Sequence, residues 1–82
     1  MDRDEILKQL TSTVKEELCD VTKYIEISKV VNNDGYSQIF RDIAHEEYSH
    51  AKHIRDIMID MGMDLKDHDE MNVHFMKAKD ML

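Results

Sequence analysis

The sequence predicts an all-α fold: an antiparallel helical hairpin followed by one short C-terminal helix. The 82 residues include no proline and only two glycines, and these two residue types interrupt helices most strongly. Apolar side chains recur at steps of three and four along two long stretches, which is the spacing of one helix face. The run Asn32–Gly35 separates the two stretches and consists of residues typical of turns.

The first helix is predicted from about residue 4 to residue 31. Asp2, followed three residues later by Glu5, suits the N-cap of this helix. Ile6, Leu18 and Ile25 widen the apolar face to the width that a helical bundle needs. The seam that they flank advances by alternating steps of three and four through Leu7, Leu10, Val14, Glu17, Val21, Tyr24, Ser28 and Val31.

The second helix is predicted from about residue 36 to residue 61. The connection before it is short, so this helix must run antiparallel to the first. Gly62 suits the left-handed position that follows a helix C-terminus. The seam of the second helix consists of Phe40, Ile43, Glu47, His50, Ile54, Ile57 and Met61.

A third helix is predicted from about residue 68 to residue 81. Asp67 and Glu70 are predicted to form its capping pair. The chain has no internal repeat and no linker, so residues 1–82 are interpreted as a single domain. The apolar stripe of the third helix consists of Met71, Phe75, Ala78 and Leu82.

Size and composition restrict the function classes. A chain this short buries little of its own surface, and its one cysteine, Cys19, supplies neither a disulfide framework nor a Cys-x-x-Cys pair. We therefore expect a homo-oligomer. Eighteen acidic against eleven basic residues give a formal charge of −7, which argues against nucleic-acid binding and suits cations. The charged N-terminus has no apolar run behind it, so we expect no membrane segment and a cytoplasmic location.

Two carboxylates and one imidazole interrupt the largely apolar seams: Glu17 in the first helix, and Glu47 and His50 in the second. An unpaired buried carboxylate costs several kcal/mol, so each of these residues needs a partner. Glu47 and His50 are three residues apart and share one helix face. Glu17 and Glu47 lie at similar distances from the turn, so at roughly 1.5 Å of rise per residue their carboxylates lie within about one turn in height.

One chain offers two carboxylates and one imidazole to a metal, which is too few for a di-metal centre. Di-iron and di-manganese carboxylate bundles use a Glu from each of two helices and a Glu-x-x-His pair from each of the other two. Two copies of the hairpin supply this set through Glu17, Glu47 and His50 of each copy. Oxygen-rich ligands with one imidazole per metal suit iron or manganese better than structural zinc.

The sequence around Glu17 and the pair Glu47–His50, taken together, resemble the first half of a rubrerythrin or ferritin-like domain. Glu17 and Tyr24 are similar to the family's helix-one Glu-x6-Tyr pattern, and Glu47 with His50 is similar to its Glu-x-x-His pair. The resemblance covers about residues 10–60. The thirty-residue offset between Glu17 and Glu47 is similar to that of half-length, encapsulated-type ferritins. This resemblance implies a dimeric ferritin-like four-helix bundle with a ferroxidase site shared between the two subunits.

Several neighbouring residues have alternative interpretations. The seam favours Glu47 over Glu46, although Glu46 is also one turn from His50. Tyr24 is interpreted either as a core-packing residue or as support for a ligand carboxylate of the partner chain. Asp20 is interpreted either as a residue that collects cations at the site or as a surface residue. Glu16 is interpreted as a surface residue, and His53 either as a variable ligand or as an exposed residue.

The leading functional hypothesis is redox chemistry at a di-iron site, either ferroxidase activity or peroxide reduction, with manganese or zinc as other metals. The chain has no cysteine-ligated rubredoxin domain, so its electron donor is not identified. One alternative is a helical dimerisation module with a vestigial or redox-inert metal site. Another alternative is an adaptor that docks its methionine-rich third helix on a second protein. Copper binding by the methionines is disfavoured, because methionine stripes more often fill cores and interfaces.

Overall fold

The computed structural model describes residues 1–82 and contains four helices. They are α1 (Arg3–Val30), α2 (Asp34–Asp60), a short 3₁₀ helix (Leu65–Asp67) and α3 (Asp69–Met81). The chain has no β-strand, and its dimensions are 46 × 22 × 15 Å. The predicted fold class, an all-α hairpin with a short C-terminal helix, is confirmed. None of the helices combines the length and the apolar character that crossing a membrane requires.

Side-chain caps define the starts of both long helices. The carboxylate of Asp2 accepts a hydrogen bond from the backbone N–H of Glu5 at 2.9 Å, as the sequence predicts. Asn33 accepts an equivalent bond from the N–H of Tyr36, also at 2.9 Å, and thereby starts α2. Only three residues separate the end of α1 from the start of α2, so the two helices pack side by side in opposite directions.

The predicted cap of the third helix is wrong. Asp67 lies in the 3₁₀ helix, and the residue that precedes α3 is His68, whose side chain makes no capping hydrogen bond. Glu70 instead forms an ion pair with Lys15 of α1, with 3.1 Å between Nζ and Oε2. Glu70, predicted to form a local cap, therefore links α3 to α1.

All three α-helices contribute to one buried core. The contribution of α2 consists mainly of small side chains at steps of seven, which lets α1 approach it closely. The core residues are Val14, Leu18, Val21 and Ile25 of α1, Ala44, Ala51 and Met58 of α2, Met63, and Met71, Phe75 and Ala78 of α3.

The centre of the core is displaced from the seam that the sequence predicts. Leu18 and Ile25, predicted as flanking residues, are buried at the centre, whereas Glu17 and Tyr24 are only half-buried. The cause is α3, which covers one side of the hairpin. The ring of Phe75 meets the ring of Tyr48 edge to face, with 6.0 Å between their centroids.

Candidate metal centre

The hairpin has a second side, opposite α3, that no other part of the chain covers. Successive helix residues are turned by about 100°, so Tyr48 faces Phe75 while its neighbour Glu47 lies toward this second side. We call it the open face. It is formed by half-buried and exposed residues: Glu17, Asp20, Tyr24 and Ile27 of α1, and Tyr36, Ile39, Phe40, Ile43, Glu47, His50, Ile54 and Ile57 of α2.

Large apolar side chains on the open face are accessible to solvent. Tyr36, Ile39 and Ile57 are each more than half exposed, at 58%, 53% and 54%. Tyr36 and Ile39 are not part of the predicted seam. The signal for them was present, because each lies four residues before a seam residue and therefore on the same helix face.

The three predicted ligands lie near one another on the open face. Glu17 and Glu47 are half-buried, and His50, one turn beyond Glu47, is exposed in the single chain. The charges of Glu47 and His50 both act on the carboxyl group of Glu17, as does that of Asp20. The antiparallel arrangement thus brings Glu47 and His50 close enough to Glu17 for their charges to act on it, and the role of these residues as metal ligands stays a prediction.

The carboxyl group of Glu17 lies in an unfavourable environment for a negative charge. Burial raises its pKa above the ordinary value of 4.5, the nearby charges of Glu47 and Asp20 raise it further, and His50 lowers it. Its Oε2 atom is buried and has no hydrogen-bond partner. A buried acceptor without a partner costs free energy, so this oxygen is suited to binding a proton or a cation.

A single chain does not complete a metal site. No group of three or more His, Cys, Asp or Glu side chains within the chain is arranged to hold an ion. The donor types nevertheless fit the expected metals, because two carboxylates and one imidazole are ligands that iron and manganese accept. The buried, unpartnered oxygen of Glu17 is the structural observation that agrees with this fit.

Tyr24 has a packing role on the open face. Its ring stacks on that of Phe40 with 6.1 Å between the centroids and 12° between the ring planes, and the Nζ atom of Lys23 lies 5.8 Å from the Tyr24 centroid. Tyr24 is two turns from Glu17 on the same helix, so its support of a ligand in a second copy stays a prediction.

The remaining candidate site residues differ in their exposure to solvent. Asp20 is half-buried and its charge acts on Glu17, which places it beside the candidate centre. Glu16, Glu46 and His53 are exposed, and so is Cys19.

Comparison with known proteins agrees with this description. A model of the Rubrerythrin family matches residues 8–81, a range that includes most of α1, all of α2 and α3, and the three predicted ligands. No curated protein and no solved structure matches the chain. Because the family match covers nearly the whole sequence, the chain belongs to the rubrerythrin family of the ferritin-like superfamily, whose members are generally di-iron carboxylate proteins that typically bind iron.

Proposed function

We propose that two copies of the chain pair through their open faces and hold two iron ions between them, with ferroxidase or peroxide-reducing activity. Glu17, Glu47 and His50 of each copy are the proposed ligands, and Tyr24 is the proposed support for a ligand carboxylate of the other copy. The observation that carries the proposal is the buried carboxylate oxygen of Glu17, which has no partner and lies within the field of Glu47.

The chemistry of the open face supports pairing with a second copy. Its centre holds the acidic cluster, and apolar side chains lie on both sides of this cluster along α2. Such a surface is self-complementary under a two-fold axis, because each apolar end meets the opposite end of the partner. A two-fold axis near Glu17 and Glu47 brings two such clusters together and doubles the ligand set.

The residues of this chain have distinct tasks in the proposed activity. Glu17 and Glu47 supply negative oxygen ligands, and His50 supplies a neutral nitrogen ligand. Glu17, Glu47 and His50 of the two copies would hold two Fe(II) ions, which would supply the two electrons that, together with two protons, reduce O2 to hydrogen peroxide or hydrogen peroxide to two water molecules. The apolar residues around the cluster exclude water from the carboxylates, and the acidic surface raises the local concentration of cations.

Anaerobic titration with Fe(II), followed by exposure to air or hydrogen peroxide, tests the proposal. We expect about one bound iron ion per chain, as a two-metal site shared by two copies requires, and ferric absorbance after the oxidant is added. Native mass spectrometry of the iron-loaded sample reports the oligomer size and the metal content together. Glu47→Ala and His50→Ala are expected to lose iron binding and oxidation.

Matched controls distinguish the ligands from their neighbours. Glu46→Ala and His53→Ala remove the same side-chain types from exposed positions of the same helix, and we expect both variants to retain wild-type iron binding. Equal activity in Glu47→Ala and in the wild type refutes the ligand assignment.

A dimerisation module with a redox-inert or vestigial metal site is the second candidate. The apolar character of the open face favours it, because Ile39 and Ile57 can pair two hairpins without any metal. This candidate predicts a dimer that persists in the presence of a chelator. It also predicts that the purified protein contains zinc or calcium and that it consumes no oxidant after iron loading.

A further inference from the structure

A second surface feature lies on the side of the molecule opposite the open face. It is a groove between α2 and α3 with a volume of about 390 Å³. We call it the basic groove, because Lys52, Arg55 and Lys79 line it. The side chain of Asn72 and the rings of Tyr48 and Phe75 also contribute to the lining. No residue of the proposed metal centre takes part.

The basic groove is positively charged, although the chain as a whole is acidic. The formal charge of the whole sequence is −7, with eighteen acidic residues available to neutralise eleven basic ones. The ion pairs of the structure are Arg3 with Asp4, and Glu70 with both Lys15 and His74. None involves Lys52, Arg55 or Lys79, so three positive charges line one groove with no carboxylate within ion-pair distance.

Arg55 is held in place within the groove and lacks an acceptor. Its guanidinium carbon lies 4.4 Å from the centroid of the Phe75 ring, which is a cation–π arrangement. Its Nε atom is buried and has no hydrogen-bond partner. A guanidinium fixed on an aromatic ring is preorganised to bind the paired oxygen atoms of an anion, because its N–H donors form a rigid fork.

We propose that the basic groove binds a phosphate group. Three unneutralised cations match a phosphate monoester, which carries about −1.5 to −2 charges near neutral pH, better than a single carboxylate. Arg55 donates to the phosphate oxygens as a fork, and Lys52 and Lys79 act as point charges beside it. The volume of the groove is within the range of small-molecule sites, so the groove has room for an organic group attached to the phosphate.

The position of the groove keeps it accessible in a dimer. Tyr48 and Arg55 face α3, whereas Glu47 and His50 lie on the open face of the same helix. A second copy that covers the open face therefore leaves the basic groove in contact with solvent. The proposal does not depend on iron binding.

Titration with inorganic phosphate and with phenyl phosphate, followed by two-dimensional NMR of the backbone amides, tests the proposal. We expect saturable shifts at Lys52, Arg55 and Lys79, and binding that weakens as the salt concentration rises. Tighter binding of phenyl phosphate identifies a phosphate ester as the ligand class, and equal or tighter binding of inorganic phosphate identifies the free ion. The absence of saturable shifts with both probes refutes the proposal.

Charge-removing variants give an independent measurement. We expect Lys52→Gln to raise the Kd for the better probe by about tenfold, because it removes one charge-assisted contact. Arg55→Lys keeps the charge but loses the fork, and we expect a similar loss. Lys29→Gln, which changes the net charge equally at an exposed position near the end of α1, is the control. An equal effect of Lys29→Gln and Lys52→Gln indicates nonspecific attraction and refutes the site.

Discussion

Arg3, in the first turn of α1, donates a hydrogen bond from Nε to the carbonyl oxygen of Met61, with 2.6 Å between the two atoms. This bond joins the two ends of the hairpin that lie farthest from the turn, and it satisfies a carbonyl group at the C-terminus of α2. Gly62 directly follows Met61 with φ +98°, and a Cβ atom on Gly62 would lie 2.6 Å from Nη2 of Arg3.

Gly62→Ala is expected to destabilise the protein by about 1–2 kcal/mol, because an L-residue is strained in the left-handed region. Urea denaturation measures the change. Comparison of the double variant Arg3→Ala/Gly62→Ala with Arg3→Ala isolates the backbone strain, because both variants lack the Arg3 side chain and its bond to Met61. Wild-type stability of Gly62→Ala contradicts the conformation described for this turn.

Phe75→Ala is expected to cost about 3–5 kcal/mol in the free energy of unfolding, because the ring is almost fully buried and contacts both Tyr48 and Arg55. Hydrogen exchange should show that the loss of protection is greatest in α3. Met76→Ala, at a neighbouring position that is 66% exposed, is the control and should change the stability by less than about 0.5 kcal/mol.

Glu17→Gln is expected to stabilise the metal-free protein at neutral pH. Folding raises the pKa of this carboxyl group, so the wild type loses stability as the pH rises from the ordinary value of 4.5 through the raised value of the folded state. Thermal unfolding in the presence of a chelator should show a difference between variant and wild type at pH 7 that disappears below pH 4.5. A difference of the same size at every pH contradicts the environment described for this carboxyl group.

Ile39→Glu tests the proposed interface on the open face. Burying an unpaired carboxylate costs several kcal/mol, and each 1.4 kcal/mol is about a factor of ten in the dissociation constant. We therefore expect a monomer at concentrations where the wild type is a dimer, as measured by sedimentation velocity. Val73→Glu places the same charge on the exposed side of α3, at a residue of similar exposure, and should leave the dimer intact.

The sequence was sufficient to predict the hairpin. The helical periodicity, the turn residues and the N-cap of Asp2 are local signals, and each has the structural effect that its chemistry implies. The capping pair of the third helix failed for a tertiary reason. Glu70 has an ion-pair partner in Lys15, which is far away in sequence, and no local pattern reveals that contact.

The candidate site was predictable in part. The spacing of Glu17, Glu47 and His50 predicts that they meet at one level, because helical rise converts a count of residues into a distance. The side of α1 that faces the core was not predictable, because Val14 and Val21 belong to two different apolar stripes of this helix. Which stripe faces inward depends on where α3 docks. The basic groove likewise requires side chains from two helices whose relative position the sequence does not specify.

The docking of α3 has a consequence for the proposed pairing of two copies. By covering one side of the hairpin, α3 leaves the open face as the uncovered side through which we propose that a second copy binds. A molecule with one self-complementary surface forms a closed pair and cannot grow into a filament, whereas a bare hairpin with two apolar sides is able to add further copies at both. If two copies pair through their open faces as proposed, α3 would prevent a further copy from binding to the other side of the hairpin, and variants that detach α3 are expected to polymerise.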